Sequence, residues 1–150
     1  DKQHPECAGK SGKTTITGTL STRSSAIVDL DNDGDLDIAT NEFNDRPQIL
    51  ISNLTEKRRV HYLKVRLKGT QTNRDGLGAT VTVRAGGKRL TQFNDGKSGY
   101  LSQSSMPLYF GLGDATRVEA VEVHWPSGKK QALTKELTVD RLLLISESLD

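Results

Sequence analysis

Five aspartates fall at alternate positions within nine residues of this chain: Asp29, Asp31, Asp33, Asp35 and Asp37. Ionised carboxylates this close together repel one another, and a hard divalent cation removes that repulsion. Calcium accepts about 6–8 oxygen ligands at about 2.3–2.6 Å and tolerates irregular geometry, whereas magnesium requires a stricter octahedron. The segment therefore predicts a calcium-binding loop.

The spacing assigns a role to each loop position. Side chains at the first, third, fifth and ninth positions can converge on one point while the chain curls around it. These four are Asp29, Asp31, Asp33 and Asp37. Asp35, at the seventh position, would give its backbone carbonyl, and Gly34 allows the sharp turn. The alternative interpretation is an acidic surface turn that holds no ion.

The residues that flank the loop are typical of strands. Ala26–Val28 leads into it and Leu36–Ala39 leads out. An EF-hand would need a bidentate Glu at the twelfth position, which is Thr40 here, and helices on both sides. The pattern therefore predicts a calcium loop between two strands.

Strand patterns continue through the rest of the chain. Apolar and polar residues alternate in His61–Lys68, Thr80–Ala85 and Val121–Trp125. Leu108–Leu112 and Leu142–Ile145 are apolar enough to predict buried strands. Gly-, Asn- and Asp-rich turns separate these runs, which favours an antiparallel β-sandwich or barrel. The stretch Thr134–Leu143 is expected to contain at most a single helical turn.

These patterns divide the chain into three parts. Residues 1–24 form a polar segment that we expect to be flexible, apart from a short edge strand near Thr14–Leu20. Residues 25–56 form the calcium-binding repeat, and residues 57–150 form the larger β domain. The predicted boundary lies near Thr55–Arg59, where the sequence is polar and charged.

Two families resemble these parts. Ser25–Asn53 resembles an FG-GAP or VCBS repeat, the blade unit of β-propellers in integrin α subunits and many secreted bacterial proteins. His61–Glu147 resembles the ASPIC/UnbV domain, which follows such repeats in proteins of the cartilage acidic protein type. The matching motifs are Asn73–Ala79, Gly99–Gln103, Phe110–Gly113 and Trp125–Gly128. The resemblance implies an all-β chain in which one propeller-blade-like repeat precedes the second domain. It implies no enzymatic activity.

Composition narrows the classes of partner. The net charge is +2, and the basic clusters Lys57–Arg59 and Lys129–Lys130 are short and lack interleaved aromatic residues, which argues against nucleic-acid binding. No apolar run approaches the ~20 residues of a membrane-spanning helix. Cys7 is the single cysteine, so no internal disulfide is possible. The first residue is Asp1, and we expect the chain to be a piece of a longer, processed protein.

Catalytic interpretations find little support in the residues. Gly9–Thr14 partly matches a P-loop, but Cys7 stands where that motif requires glycine. His4, His61 and His124 are dispersed, without zinc-ligand spacing. No acid, base and nucleophile can be assembled into one set, so we expect a protein that is not an enzyme.

The expected function is that of a secreted, extracellular or cell-envelope interaction module in which calcium rigidifies the repeat. Its partner would be an extracellular protein or a glycan, and further propeller blades are possible packing partners. The alternative is a carbohydrate-binding β-sandwich that uses exposed aromatic residues. The candidates are Tyr62, Phe93, Tyr100 and Tyr109. Asn53 begins an Asn-Leu-Thr sequon that would be glycosylated in a suitable host.

Overall fold

The computed structural model describes residues 21–97, 100, 107–135 and 137–149. Strands account for 52% of the described residues and helix for 3%, which confirms the predicted all-β fold. The elements are β1 Thr22–Val28, β2 Asp37–Glu42, β3 Gln48–Leu50, α1 Leu54–Lys57, β4 His61–Lys68, β5 Thr80–Ala85, β6 Lys88–Phe93, β7 Leu108–Gly113, β8 Arg117–Val118, β9 Ala120–His124, β10 Lys130–Leu133, β11 Leu137–Thr138 and β12 Arg141–Ser146. The edge strand predicted near Thr14–Leu20 lies outside the described residues.

The first three strands form one antiparallel sheet in the order β1-β2-β3. Ile27 lies opposite Ile38, which in turn lies opposite Leu50. The acidic loop joins β1 to β2, between two strands as the sequence predicts. β1 begins at Thr22, three residues before the start of the predicted repeat.

The remaining strands form a β-sandwich. One face is the four-stranded antiparallel sheet β10-β9-β5-β6, and the other is the three-stranded sheet β12-β4-β7, with the short pair β11-β8 beside them. Their inward side chains form one core. It consists of Leu63, Val65, Leu67, Ala79, Val81, Val83, Ala85, Phe110, Leu112, Val118, Val121, Val123, Trp125 and Ile145. Burial of this apolar core is the main stabilising term of the sandwich.

Strand β4 shows how the sequence pattern sets the two faces of a sheet. Leu63, Val65 and Leu67 are buried, while the intervening residues point outward. Because successive side chains of a strand alternate between its faces, the outer face of this sheet carries Tyr62 and Lys64. That outer face is where the acidic loop packs.

Two details differ from the sequence-based expectations. Strand β12 pairs in parallel with β4, and within it Leu144 is 59% exposed whereas Ile145 is 2% exposed. The run Leu142–Ile145 is therefore a half-exposed strand and not a fully buried one. Among the described residues, the helical turn is Leu54–Lys57, whereas Leu137–Thr138 is a strand, since it pairs with β8.

The first sheet contains no buried hydrophobic side chain among its described residues. Its apolar side chains remain largely exposed, with Ile27 at 59%, Ile49 at 56% and Ile51 at 54%. The buried side chains of this part are acidic and belong to Asp35, Asp37 and Glu42. Polar contacts, rather than an apolar core, therefore hold the described part of the first sheet and its loop.

Among the described residues, no helix has the length and apolar character required to cross a membrane.

Candidate metal centre

The acidic loop curls because two of its residues adopt left-handed backbone conformations. Asn32 has φ of 63° and Gly34 has φ of 100°. Asn tolerates this region better than most residues, and glycine adopts it without a steric penalty. Loop amides also bond to loop carboxylates: the Asp33 amide donates to Asp31 at 3.2 Å, and the Asp35 amide donates to Asp33 at 2.9 Å.

Three of the five predicted ligands converge. Asp29, Asp31 and Asp37 each place a carboxylate oxygen within 4.8 Å of the others. Asp29 lies directly after β1 and Asp37 begins β2, so the pairing of the two strands fixes the first and last predicted ligands at the two ends of the loop. No other group of His, Cys, Asp and Glu with this geometry occurs in the described part of the chain.

The carboxylate of Asp29 is buried, and only one of its two oxygens is hydrogen-bonded. Its side chain is 1% exposed, and its Oδ2 accepts bonds from the Gly34 amide at 3.1 Å and the Lys64 ammonium at 2.6 Å. Its Oδ1 is buried without a hydrogen-bond partner. A buried carboxylate oxygen without a partner is costly and calls for a water or an ion. The donor set, three carboxylates with a spare buried oxygen, fits a hard divalent cation.

Asp37 is held rigidly in the same cluster. It is 1% exposed, and its two carboxylate oxygens accept the amides of Leu30 at 2.7 Å and Ser52 at 2.8 Å. These two bonds orient the carboxylate and tie the loop to the chain that follows β3. The third member, Asp31, is exposed and forms the mouth of the cluster.

The pKa of Asp31 is raised by the surroundings of the loop. Desolvation is the largest cause, and the negative charges of Asp33, Asp37 and Asp29 add to it, against a bond from the Asp33 amide. A raised pKa means that the loop disfavours another negative charge, which is the electrostatic condition that a bound cation relieves.

Asp33 and Asp35 face a different partner, Thr55 in α1. The Thr55 hydroxyl donates to Asp33 Oδ2 and, at 3.2 Å, to Asp35 Oδ2, and the Thr55 amide donates to Asp35 at 2.9 Å. Burial raises the pKa of Asp35, but bonds from Thr55, Ser52 and Leu54 outweigh it and lower the pKa below its usual value. Asp35 Oδ2 is thus engaged with α1, whereas Asp35 Oδ1, like Asp29 Oδ1, is buried without a hydrogen-bond partner. The Asp33 carboxylate lies outside the cluster of three.

The sandwich closes one side of the loop. The rings of Tyr62 on β4 and Tyr109 on β7 stack with centroids 5.6 Å apart, and the Tyr109 hydroxyl donates to the Gly34 carbonyl at 2.6 Å. A Cβ on Gly34 would lie 2.6 Å from Tyr62 Cε1, so only glycine fits against this ring. Burial, followed by the charge of Asp29, raises the pKa of Tyr109 to about 12, so its hydroxyl stays a donor at neutral pH.

This packing bears on the four aromatic residues considered for carbohydrate binding. Tyr62 and Tyr109 support the loop, so their rings are not available as a free platform. Phe93 and Tyr100 are exposed, at 58% and 68%. Trp125 is 3% exposed and belongs to the core.

The sequence identified the aspartates but not the residues that surround them. Lys64 and Thr55 reach the loop from 35 and 22 residues away from their aspartate partners. Lys64 lies on the solvent-facing side of a predicted strand and Thr55 lies in a polar linker, so neither sequence pattern predicts a contact with the loop. One signal existed for the tyrosines: two aromatic residues on the outer face of predicted strands require a covering partner.

Comparison with known families identifies the family of the second half of the chain. The ASPIC and UnbV family matches residues 69–149, more than half of the sequence. The chain belongs to the ASPIC and UnbV family. The match begins after the acidic loop and covers the sandwich from the end of β4 onward. No curated protein matches the chain.

Two of the four motifs that suggested this family, Asn73–Ala79 and Trp125–Gly128, are packing positions of the sandwich, whereas Gly99–Gln103 lies outside the described residues except for Tyr100. In Asn73–Ala79, the Asn73 side chain bonds both backbone groups of Leu77, and a Cβ on Gly76 would lie 3.2 Å from the Trp125 ring. A Cβ on Gly78 would lie 3.1 Å from Pro126. The motifs Asn73–Ala79 and Trp125–Gly128 therefore pack against each other. Their residue types are explained by packing and do not require a role in chemistry.

Proposed function

We propose that this chain is a secreted, non-enzymatic ASPIC and UnbV protein whose acidic loop binds one calcium ion and serves as the joint of an extracellular interaction module. The observation that carries the proposal is the convergence of Asp29, Asp31 and Asp37, together with the buried Asp29 oxygen that lacks a hydrogen-bond partner. The chain's resemblance to FG-GAP repeats in this segment points the same way.

The geometry favours calcium over magnesium. The three carboxylates come from an irregular loop, and the bonds from Leu30 and Ser52 already fix the direction of Asp37. Calcium adapts its coordination number to such a loop and completes it with backbone oxygens and water, whereas magnesium requires near-ideal octahedral ligands. Weak calcium sites of extracellular modules work at about 10⁻⁴–10⁻³ M, which suits a site with one exposed ligand.

A role as scaffold follows from what calcium would rigidify. The loop contacts the sandwich through Gly34 and the second half of the repeat through Thr55 and Ser52. A cation that gathers the loop would therefore fix the repeat, α1 and the sandwich relative to one another. The partner of such a rigid module would be an extracellular protein or glycan.

Calorimetric titration of the full chain with calcium tests the proposal. We expect saturable binding that is tighter for calcium than for magnesium, and a higher melting temperature in calcium than in chelator, because only the folded loop gathers the ligands. Asp31→Asn should weaken binding by about tenfold or more, since ligand charge sets affinity. Asp31 is the variant of choice because it is exposed and its loss should not unfold the loop.

Asp75→Asn is the matched control, because Asp75 is 62% exposed and pairs with Arg74 and not with a residue of the loop. It should bind calcium as the wild type does. Equal binding by the wild type and Asp31→Asn, or the absence of any calcium-dependent heat or melting shift in the wild type, would refute the site.

A further inference from the structure

A lysine of the sandwich reaches into the acidic loop. Lys64 lies on the outer face of β4, and its ammonium is 2.6 Å from Asp29 Oδ2 and 3.3 Å from Asn32 Oδ1. The same ammonium lies 5.2 Å from the centre of the Tyr62 ring. The Lys64 side chain is only 16% exposed and its carboxylate partner 1%, so water screens this ion pair weakly.

Lys64 therefore holds the carboxylate that a cation in the loop would also need. Asp29 is one of the three converging aspartates, and its second oxygen is the buried one that lacks a partner. An ammonium on Oδ2 and a divalent cation on Oδ1 would share one carboxylate. Like charges at that separation repel, and more strongly in a partly buried site than in water.

We propose that Lys64 is a built-in competitor of the divalent cation: its ammonium pairs with Asp29 while the loop is free of metal and leaves Asp29 when a divalent cation binds. This inference rests on the proposed calcium site and adds a residue that sets its affinity. Lysine suits the role because its charge sits at the end of a flexible stem and can move without moving the strand.

The other contacts of the loop allow this exchange. The Tyr109 hydroxyl holds the Gly34 carbonyl, and the Tyr62 ring packs against Gly34, so the loop stays docked when the ammonium withdraws. The ammonium already lies near the Tyr62 ring, whose face attracts cations. Lys64 thus stabilises the metal-free loop and lowers its affinity for the metal.

The experiment compares the full-length wild type with Lys64→Met by calcium calorimetry and by melting in chelator. Lys64→Met should bind calcium about tenfold more tightly, because the competing charge is gone. It should also melt at a lower temperature in chelator, because Asp29 loses its counter-ion. Lys64→Gln is a second neutral variant in case methionine disturbs packing, and Lys64→Arg keeps the charge and should bind calcium less tightly than either.

Lys68→Met is the matched control. Lys68 lies on the same strand and the same outer face, beyond the loop contacts, and both its calcium affinity and its melting temperature in chelator should equal those of the wild type. Neutral Lys64 variants that bind calcium as the wild type does, or more weakly, would overturn the inference while leaving the calcium site intact.

The same titrations separate the two proposals. Binding by Lys64→Met without detectable binding by the wild type would support the competitor role of Lys64 but would refute the proposed function, because the natural chain would then not bind calcium. Absence of binding in the wild type and in every neutral Lys64 variant would overturn both the calcium site and the competitor role.

Discussion

At the scale of single residues, Glu147 carries the most consequential buried charge of the sandwich. It is 2% exposed, and its Oε2 accepts the amides of Thr70, Gln71 and Thr72, each at 2.9 Å. The Ser127 hydroxyl donates to its other oxygen at 2.6 Å. Burial raises the pKa of Glu147, but the bonds from Ser127 and the three amides outweigh it and lower the pKa to about 2.

This carboxylate should make the sandwich sensitive to acid. Because its folded pKa lies below the ordinary value of 4.5, Glu147 contributes stability above about pH 5 and loses it as pH falls toward 2. Glu147→Gln should melt at a lower temperature than the wild type at pH 7, and the difference should shrink between pH 5 and pH 2. Thermal melts across this range measure it, with Asp114→Asn, an exposed acid, as the control.

A melting difference between Glu147→Gln and the wild type that stayed constant from pH 7 to pH 2 would show that the ionised carboxylate is not what stabilises the loop at Thr70–Thr72.

The residues of the candidate site differ in how far the sequence predicted them. The aspartates are recognisable from the sequence because all five lie within one loop, where their spacing alone predicts a cation site. Lys64, Thr55 and Glu147 contact partners that lie 35, 22 and up to 77 residues away in the sequence, and the packing of the sheets brings these partners together. Local patterns cannot report such contacts.

At the scale of elements, strand β4 was predictable and β12 was only partly so. In β4, charged and apolar residues alternate, so one face is assigned directly. In β12, the run Leu142–Ile145 is uniformly apolar and has no period that assigns a face. The parallel pairing of β12 with β4 determines which side chains face the core. Leu143 lies opposite Val65 and Ile145 lies opposite Leu67, so these two side chains point inward.

This register predicts unequal costs for two neighbouring truncations. Ile145→Ala removes a core side chain that is 2% exposed and should cost about 2–5 kcal/mol of unfolding free energy. Leu144→Ala removes a side chain that is 59% exposed and should change it by less than about 0.5 kcal/mol. Denaturant unfolding of both variants measures the difference. Equal costs would place β12 in a different register.

At the scale of the whole molecule, apolar burial is distributed unevenly. Every buried hydrophobic side chain among the described residues lies at or after Leu63, whereas the first sheet buries acidic residues. The two parts meet where the loop touches the outer face of β4 and β7, through the Tyr109 hydroxyl, the bonds of Lys64 to Asp29 and Asn32, and the Tyr62 ring against Gly34. No side chain of the buried apolar core takes part in these contacts.

We therefore expect the second part to fold without the first, and the first to require the second. A fragment of residues 57–150 retains the entire buried core and both sheets of the sandwich, so it should give dispersed amide resonances and a cooperative melt. A fragment of residues 1–56 has one three-stranded sheet whose Ile27, Ile49 and Ile51 remain exposed. Three short strands without a covering surface are marginal in water.

Calcium should not rescue the shorter fragment, because a cation orders the loop but adds no apolar burial. Its amide spectrum should remain collapsed at millimolar calcium, while addition of the 57–150 fragment together with calcium should shift resonances of the acidic loop. A shorter fragment that folds by itself, or a longer fragment that does not fold, would show that the two parts form one interdependent core. Because Tyr62 and Tyr109 lose their cover in the longer fragment, a modest fall in its melting temperature relative to the full chain is expected and is compatible with independent folding.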